Sequence, residues 1–591
     1  MARIFQSSGI EVQFMIDQVH RLAEKASTEY FRGISALVQS GPGLWLLPVV
    51  CMLIMCFTYI VSGLRFRLSI TFGGPSRVPT VPYYIPGLFH TLSLLDPAGF
   101  LVRLKNQLGS ERPLLVRVCF SRIFFITNPD HVKAVFRKSK QMTNMPVSVW
   151  ALRHLLNLPR RALQIYEADN SGMNSTPREG SVVAPERRLK FLIAHNLNKF
   201  LSSRYLDALN KQYLSLLVRD LHSLPIGDTW INLPDLFVFI QRINFRASIK
   251  TLAGLELLNV YPDIIEDLII FQSYVPDMLY RMPRWLIPRA HQARKRLLGG
   301  IKRWHELGAF FGTKLVKARQ IYARKIAEMT PEARAAEDLG LIFAATGNVT
   351  NSAFWFIFEA CKDCELLSQL MSEVSESQFE HPRGFDIKKL TSQPLLQSVY
   401  AEVLRLYVAS GVARVVRHTD IDVAGYKIPK NSYIRMYSRS MAFDHRAWLL
   451  AGRQPEKSLE EFDPNRFLVE TTWKRPSHSN GGSEAPQEAP VVPMKTSDSS
   501  KMKRRFSMEG LLGLWIPYGG GDHVCPGRHF AKHEILMTFA AMLSEFDIEL
   551  EHPNSKGTLP NMKYATFGAL PPASKVPFRI RRRNAVALAI A

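Results

Sequence analysis

The sequence predicts a mainly α-helical catalytic body with small β-sheets, tethered by one amino-terminal membrane helix. Three observations carry that prediction. An uncharged apolar run spans Leu44–Leu64. Apolar residues recur at helical spacing through most of the stretch from residue 185 to about 410, with Pro and Gly at the breaks. A glycine-rich loop places Cys525 just ahead of a further helical segment.

The 591 residues are 47% hydrophobic and 21% charged, which supplies a large buried core and excludes a disordered chain. The formal charge is +24, from 75 Lys+Arg against 51 Asp+Glu. The basic residues are spread along the chain, with short runs at Lys501–Arg505 and Arg579–Arg583, and no nucleic-acid-binding motif accompanies them. A surplus of this kind suits an anionic membrane face or an acidic redox partner, and no nucleic-acid partner is expected. Of the six cysteines, Cys51 and Cys56 lie in the apolar run. Cys119, Cys361, Cys364 and Cys525 show no disulfide-framework spacing, which favours a reducing compartment. Cys361-Lys-Asp-Cys364 has no second pair to complete a metal or redox motif, so it reads as two helix-surface thiols.

A membrane helix needs about 20 apolar residues, and Leu44–Leu64 supplies them as an anchor. A cleaved signal peptide fits less well, because 43 residues precede the run and no small-residue cleavage site closes it. The arm before it balances Arg3, Arg21, Lys25 and Arg32 against Glu11, Asp17, Glu24 and Glu29. Arg65, Arg67 and Arg77 follow it, with no acid before Asp96. The positive-inside rule therefore places the bulk of the chain in the cytosol. The expected division is a lumenal arm at 1–43, the anchor at 44–64, a proline-rich hinge at 65–90 and the catalytic body at 91–591. The hinge reads GGPSRVPTVPYYIPG, Gly73–Gly87, whose prolines stop a helix and stiffen an extended strap.

Within the body, LLVRVCF and RIFFITN read as strands, the second ended by Asn128-Pro129-Asp130. A second β-rich stretch lies near Arg414–Met436 and contains AGYKIPKNSY, a short turn between strands. Thr471 to Met508 is rich in Ser, Pro, Gly, Lys and Glu, and is expected to be a disordered surface insertion.

The most specific segment is Trp515–Glu534, WIPYGGGDHVCPGRHFAKHE. Gly519, Gly520 and Gly521 let the backbone turn sharply and approach a flat cofactor closely. Cys525 precedes Pro526 and Gly527, where a helix begins, and a helix start stabilises a thiolate through its free N–H groups. This loop resembles the cysteine motif of cytochromes P450, Phe-x-x-Gly-x-x-x-Cys-x-Gly. Gly521, Cys525 and Gly527 match, and Tyr518 stands where Phe is usual. The resemblance implies haem b with Cys525 as the axial iron ligand, and a thiolate there favours O–O cleavage. It implies a haem-propionate partner at His523.

Two further marks follow the same order as in that family. Glu402-Val-Leu-Arg405 is similar to its ExxR pair, one helical turn apart. Phe462-Asp-Pro-Asn-Arg466-Phe467 resembles its PERF segment, with Asn465 in place of Glu. The resemblance implies that Glu402, Arg405 and Arg466 form a structural triad that locks the cysteine loop. It also implies a second propionate partner at Arg414, with Arg417 as competitor. The Trp-x-x-x-Arg of an earlier helix is missing near Pro185–Phe200, which leaves another propionate partner unassigned. The implied fold is the P450 triangular prism of helices with small sheets. The proline strap, GYKIPKNSY and FGALPP (Phe567–Pro572) look most like fungal members.

Gly340–Phe358, GLIFAATGNVTNSAFWFIF, is apolar enough for a buried central helix. The family's usual acid–alcohol pair there is replaced by Asn348 and Val349, with Thr350 one step on. With Phe354-Trp355, this is similar to the branch holding sterol 7α- and 12α-hydroxylases and prostacyclin synthase. Asn orients a water but is no proton source, so Asn348 and Thr350 are the candidate catalytic residues. A kink or π-bulge near Gly347 would bring Thr350 to the usual position.

The resemblance implies a monooxygenase of the endoplasmic reticulum membrane. It would oxidise a lipophilic small molecule, such as a sterol, terpenoid or other fungal secondary metabolite, with dioxygen. Electrons would come from NADPH through NADPH–cytochrome P450 reductase. One alternative is a reductase-independent isomerase or dehydratase acting on a peroxide or oxygenated intermediate. Another is a haem-binding protein without turnover.

Overall fold

The computed structural model describes residues 46–72, 77–91, 96–109, 111–202, 204–307, 312–379, 384–471, 504–551 and 558–583. The chain divides into two compact units. The first comprises residues 1–149, 411–440 and 521–523, and the second comprises 150–410, 441–520 and 524–591. The expected lumenal arm, 1–43, lies outside the described residues.

In the first unit, α1 spans Leu46–Thr71. Its apolar stretch has a mean hydropathy of 2.0, and only 11% of it is buried. A helix apolar all round and left uncovered is suited to lipid, and this one is long enough to cross a bilayer. It runs beyond the expected end at Leu64, through Arg65 and Arg67, because nothing in RFRLSIT breaks a helix. The hinge expected from residue 65 is thus corrected: its first seven residues are helix. The proline strap then folds back on the helix. Ser62 Oγ donates to Tyr83 O and accepts from Tyr83 N–H, both at 3.1 Å. Tyr59 stacks on Tyr84 at 4.5 Å and 11°.

The sheet of this unit pairs β1 (Leu114–Val118) antiparallel with β2 (Ser121–Ile126). After β2, the Asn128 side chain accepts from the N–H groups of Asp130 and His131, and Pro129 opens α2 (Pro129–Arg137). Asn-Pro-Asp therefore caps a helix as well as ending a strand. A long strand, β3 (Val408–Val416), enters this unit at Gly411, and its residues 411–415 pair antiparallel with β4 (Tyr433–Tyr437). β4 in turn runs parallel to β2.

The second unit is helical. Its principal helices are α3 (Leu236–Leu252), α4 (Ile264–Ser273), α5 (Val275–Leu279), α6 (Pro288–Leu307), α7 (Lys314–Ala323), α8 (Pro331–Cys361), α9 (Pro394–Tyr407) and α10 (Arg528–Glu545). Helix α8 packs against α3, α6, α9 and α10. The reason is in its sequence: every residue from Val349 to Ala360 is buried, so its carboxy-terminal half has no solvent face. This helix too is long and apolar enough for a membrane, but 61% of that stretch is buried and it serves as the core. Thr330 caps it by accepting from Ala333 N–H, and Pro331 opens it. Its early carboxylates are buried and balanced. Asp338 takes Arg319 Nε and His305 Nε2, each at 2.8 Å, and Glu337 accepts from Tyr166 OH at 2.6 Å.

The expected insertion needs one correction. Residues 472–503 lie outside the described residues, but Arg504–Phe506 forms a strand, β6, antiparallel to β5 (Leu468–Glu470). Arg453 Nη2 then donates to Ser507 O and Glu509 O, at 2.9 and 3.1 Å. Averaging composition over the whole segment hid this local pairing. Cys361 and Cys364 fall on the last residue of α8 and the first of the next helix. Cys361 is half-buried rather than on the surface, and burial pushes its thiol up to about 12.

Candidate active site

The cysteine loop is built by backbone turns and fastened by two aromatic side chains. Gly519 adopts φ +69°, a conformation that favours glycine, and its N–H donates to Ile516 O at 3.0 Å. The chain then returns so that Cys525 N–H donates to Tyr518 O at 3.1 Å. Trp515 Nε1 donates to Ala401 O on α9 at 3.0 Å. Tyr518 OH lies 2.7 Å from Tyr400 OH, also on α9. Tyrosine in place of phenylalanine thus keeps the aromatic ring and adds a hydroxyl tie.

Cys525 is half-buried, two residues before the Gly527 cap of α10. Burial pushes its thiol up, and the amides of Gly527 and Arg528 with the Arg528 charge pull it back only in part. The helix start therefore favours the thiolate, as expected, but less than burial disfavours it. Gly527 itself is in ordinary contact, its Leu201 neighbour 3.6 Å from where a Cβ would sit.

The triad residues meet in one buried network. Arg405 Nε and Nη2 grip the two oxygens of Glu402 at 2.6 and 2.9 Å. Arg466 Nε donates to Glu402 Oε1 at 3.0 Å, as does the Asp463 N–H. The guanidiniums spend their remaining donors on carbonyls: Arg405 on Leu459 O, and Arg466 on Lys457 O, Ser458 O and Glu461 O. Asn465 in the PERF-like segment is exposed, and its N–H donates to Asp463 Oδ1 at 3.0 Å.

In the first unit, Gly521–His523 forms one 3-10 turn, and His523 is half-buried. Gly521 has φ +65°, and a Cβ there would fall 2.5 Å from Ser139 Oγ and 2.9 Å from Phe136 O. Its glycine is needed for the close approach to the end of α2. Asp522 N–H then donates to Ser139 Oγ at 3.2 Å. Arg414, on β3, is 4% exposed. Burial pulls its guanidinium down to about 10, against the pull of Asp522. Arg417, the other candidate, is exposed.

On α8 the expectations change most. The helix runs unbroken from Pro331 to Cys361, with no π-bulge near Gly347, so Thr350 stays one residue and about 100° from the usual position. Thr350 is 1% exposed, and its hydroxyl has no hydrogen-bond partner among the described residues. Thr346, one turn earlier, shows the ordinary alternative by donating to Ile342 O at 2.8 Å and accepting from Gln272 Nε2 at 2.9 Å. Asn348 is exposed, and its Oδ1 accepts from Ala569 N–H at 2.9 Å, which leaves a second lone pair and the NH2 for other partners. Asn351, not singled out in the sequence, and Trp355, noted there only as a family mark, share its face of the helix. Asn351 Nδ2 donates to Ala569 O at 2.7 Å, and Trp355 Nε1 donates to Leu570 O at 2.7 Å. Their i, i+3, i+7 spacing in an otherwise apolar helix was the available signal.

These residues fit haem. Among the described residues no cluster of three or more His, Cys, Asp and Glu could hold a bare metal ion. Haem carries four iron ligands of its own and needs one soft ligand, which a half-buried cysteine supplies.

Comparison with known proteins agrees. The cytochrome P450 family model matches residues 310–489 and 498–578. The chain is 31% identical to cytochrome P450 monooxygenase efuG of Hormonema carpetanum, over 86% of this chain and 91% of that one. It is 30% identical to cytochrome P450 monooxygenase fsoE of Humicola fuscoatra, over 87% and 89%. It is also 25% identical to cholesterol 7-alpha-monooxygenase of Cricetulus griseus, over 61% and 68%. With identity sustained across nine-tenths of a relative's length and a mainly helical body built around an apolar core helix, the chain belongs to the cytochrome P450 family.

Proposed function

We propose that the chain is a membrane-bound haem-thiolate monooxygenase that hydroxylates, or otherwise oxidises, a lipophilic small molecule. The observation that carries this is the Cys525 loop, tied to α9 beside a buried Glu402–Arg405–Arg466 network. The fungal relatives' names support a monooxygenase, and the cholesterol-oxidising relative supports a substrate of sterol or terpenoid character. Haem held by the cysteine sulfur would supply an iron that binds and activates dioxygen. Cys525 is the ligand, and the amides of Gly527 and Arg528 stabilise its negative charge once a cation is present. Arg414 and His523 are assigned as partners of the haem carboxylates. Electrons come from NADPH through NADPH–cytochrome P450 reductase.

Two groups are candidates for proton delivery, the Thr350 hydroxyl and a water held by Asn348. The Thr350 hydroxyl is buried and has no partner among the described residues, and Asn348 Oδ1 keeps a second lone pair beside its bond from Ala569 N–H. Every residue from Val349 to Ala360 is buried, which keeps bulk water from that half of α8. A second reading, a reductase-independent isomerase or dehydratase, is favoured by one observation: Ala345–Thr350 carries no acid. Product formed without NADPH would establish that second reading.

The basic Arg65/Arg67 flank after the apolar stretch supports a single span with the catalytic body in the cytosol, in the endoplasmic reticulum membrane.

Three outcomes are expected. Cys525→Ala abolishes the thiolate-type band of the reduced carbon monoxide complex together with turnover, and a variant that keeps the band removes Cys525 from the role. Thr350→Ala keeps consuming NADPH but releases hydrogen peroxide, with product formation down about 100-fold, the low end of acid catalysis. Full coupling in that variant rules out the Thr350 route. Protease added outside sealed microsomes digests the body; its survival until detergent is added reverses the topology.

A further inference from the structure

Helix α8 is joined to the strand β7 (Phe567–Ala569) through main-chain groups. One edge of β7 is paired with Val408–Ser410 of β3, and beside it Leu570 N–H donates to Tyr407 O at 2.8 Å and Thr566 N–H to Ala409 O at 2.7 Å. The N–H and C=O of Ala569 point the other way, in a buried position where unpaired they would each be costly. Asn348 supplies the acceptor for the N–H and Asn351 the donor for the C=O. Trp355 adds the third tie, to Leu570 O. Its ring is fixed by parallel stacking on Tyr407 at 3.9 Å and 2°.

Gly568 makes the approach possible. Its φ is +138°, and a Cβ there would lie 2.3 Å from Asn348 Oδ1. The opposite side of the same helical stretch is also held. Gln272 of α4 bonds to Thr346 and lies 3.3 Å from where a Cβ on Gly347 would be. The chain just before β7 reaches that side: Tyr564 OH donates to Ser273 O at 2.6 Å, and Lys563 Nζ lies 2.7 Å from Asp277 of α5.

We propose that Asn348 and Asn351 are positioning residues that grip both main-chain polar groups of Ala569. They set how close the 567–570 segment lies to the stretch of α8 assigned to dioxygen, and with Gly568 they decide how bulky a molecule is admitted there. This rests on the haem-thiolate reading above. The two amides are not equivalent. Position 348 must accept, which an aspartate does as well. Position 351 must donate, and an aspartate there would oppose its oxygen to the Ala569 carbonyl. A residue that merely filled space would show no such asymmetry.

The test uses the purified full-length holoenzyme and two iron-binding probes, imidazole and 1-phenylimidazole, titrated by the shift of the Soret band. Asn351→Asp and Asn351→Leu loosen the segment. The affinity ratio of phenylimidazole to imidazole is expected to rise about fivefold, one hydrogen bond's worth, with imidazole itself unchanged. Asn348→Asp keeps the wild-type ratio, and Asn348→Leu shifts it as Asn351→Leu does. Should Asn351→Asp not accumulate with haem, the uncharged Leu pair decides the matter. Wild-type ratios in both Leu variants, or a shift in Asn348→Asp equal to that in Asn348→Leu, overturn the proposal. A wild-type protein without the thiolate-type carbon monoxide band would overturn the haem-thiolate reading itself, whereas a normal band with unchanged ratios sinks only the grip.

Discussion

The carboxylate of Glu402 is the charge around which the catalytic unit is arranged. It is fully buried, and an unpaired ion there would cost several kcal/mol. Two guanidiniums and one main-chain N–H saturate its two oxygens. Each partner comes from a definite place: Arg405 from the next turn of α9, Arg466 and Asp463 from the loop that follows the short helices after β4. Satisfying the charge therefore fixes α9 against that loop. The carbonyls of Leu459, Lys457, Ser458 and Glu461 take up the remaining guanidinium donors, so the loop backbone is fixed as well. The cysteine loop inherits this rigidity, since Trp515 and Tyr518 bond to Ala401 and Tyr400, the two residues before Glu402.

Helix α8 is a second rigid reference. It is buried on all sides through its carboxy-terminal half and balances its buried carboxylates at the other end with Arg319, His305 and Tyr166. Polar side chains in the apolar half each have an assigned partner except Thr350. Ser352 bonds back to Asn348 O, and Asn348, Asn351 and Trp355 reach the segment after Thr566. A helix organised in this way leaves the Thr350 hydroxyl without a hydrogen-bond partner among the described residues. At position 348 the amide oxygen accepts from the backbone of Ala569.

Much of the site was legible because its determinants are local. The turn glycines, Cys525 and the helix that follows lie within one continuous stretch, and Glu402 and Arg405 declare themselves by their one-turn spacing. Arg466 needed the PERF-like context, because an arginine sixty-odd residues away carries no spacing signal. What the sequence hid was pairing to main chain. Ala569 has no side-chain feature to mark its N–H and C=O as partners of Asn348 and Asn351, so the amide read as a water ligand. Thr350 was expected to be helped by a bulge, but the surrounding residues pack an unbroken helix. The apolar helix was readable from hydropathy, and it continues seven residues past Leu64, since charge marks a membrane boundary and not a helix terminus. The strand Arg504–Phe506 was lost in a segment judged by its average composition.

The most direct test of this account is the haem content of purified Arg405→Ala, read with its reduced carbon monoxide spectrum and unfolding midpoint. Removing the bidentate partner leaves Glu402 buried with one guanidinium, a loss of about 3–5 kcal/mol. The account predicts haem-poor protein, a lost or shifted thiolate-type band and a lowered midpoint. A variant with full haem, a normal thiolate band and an unchanged midpoint would contradict it.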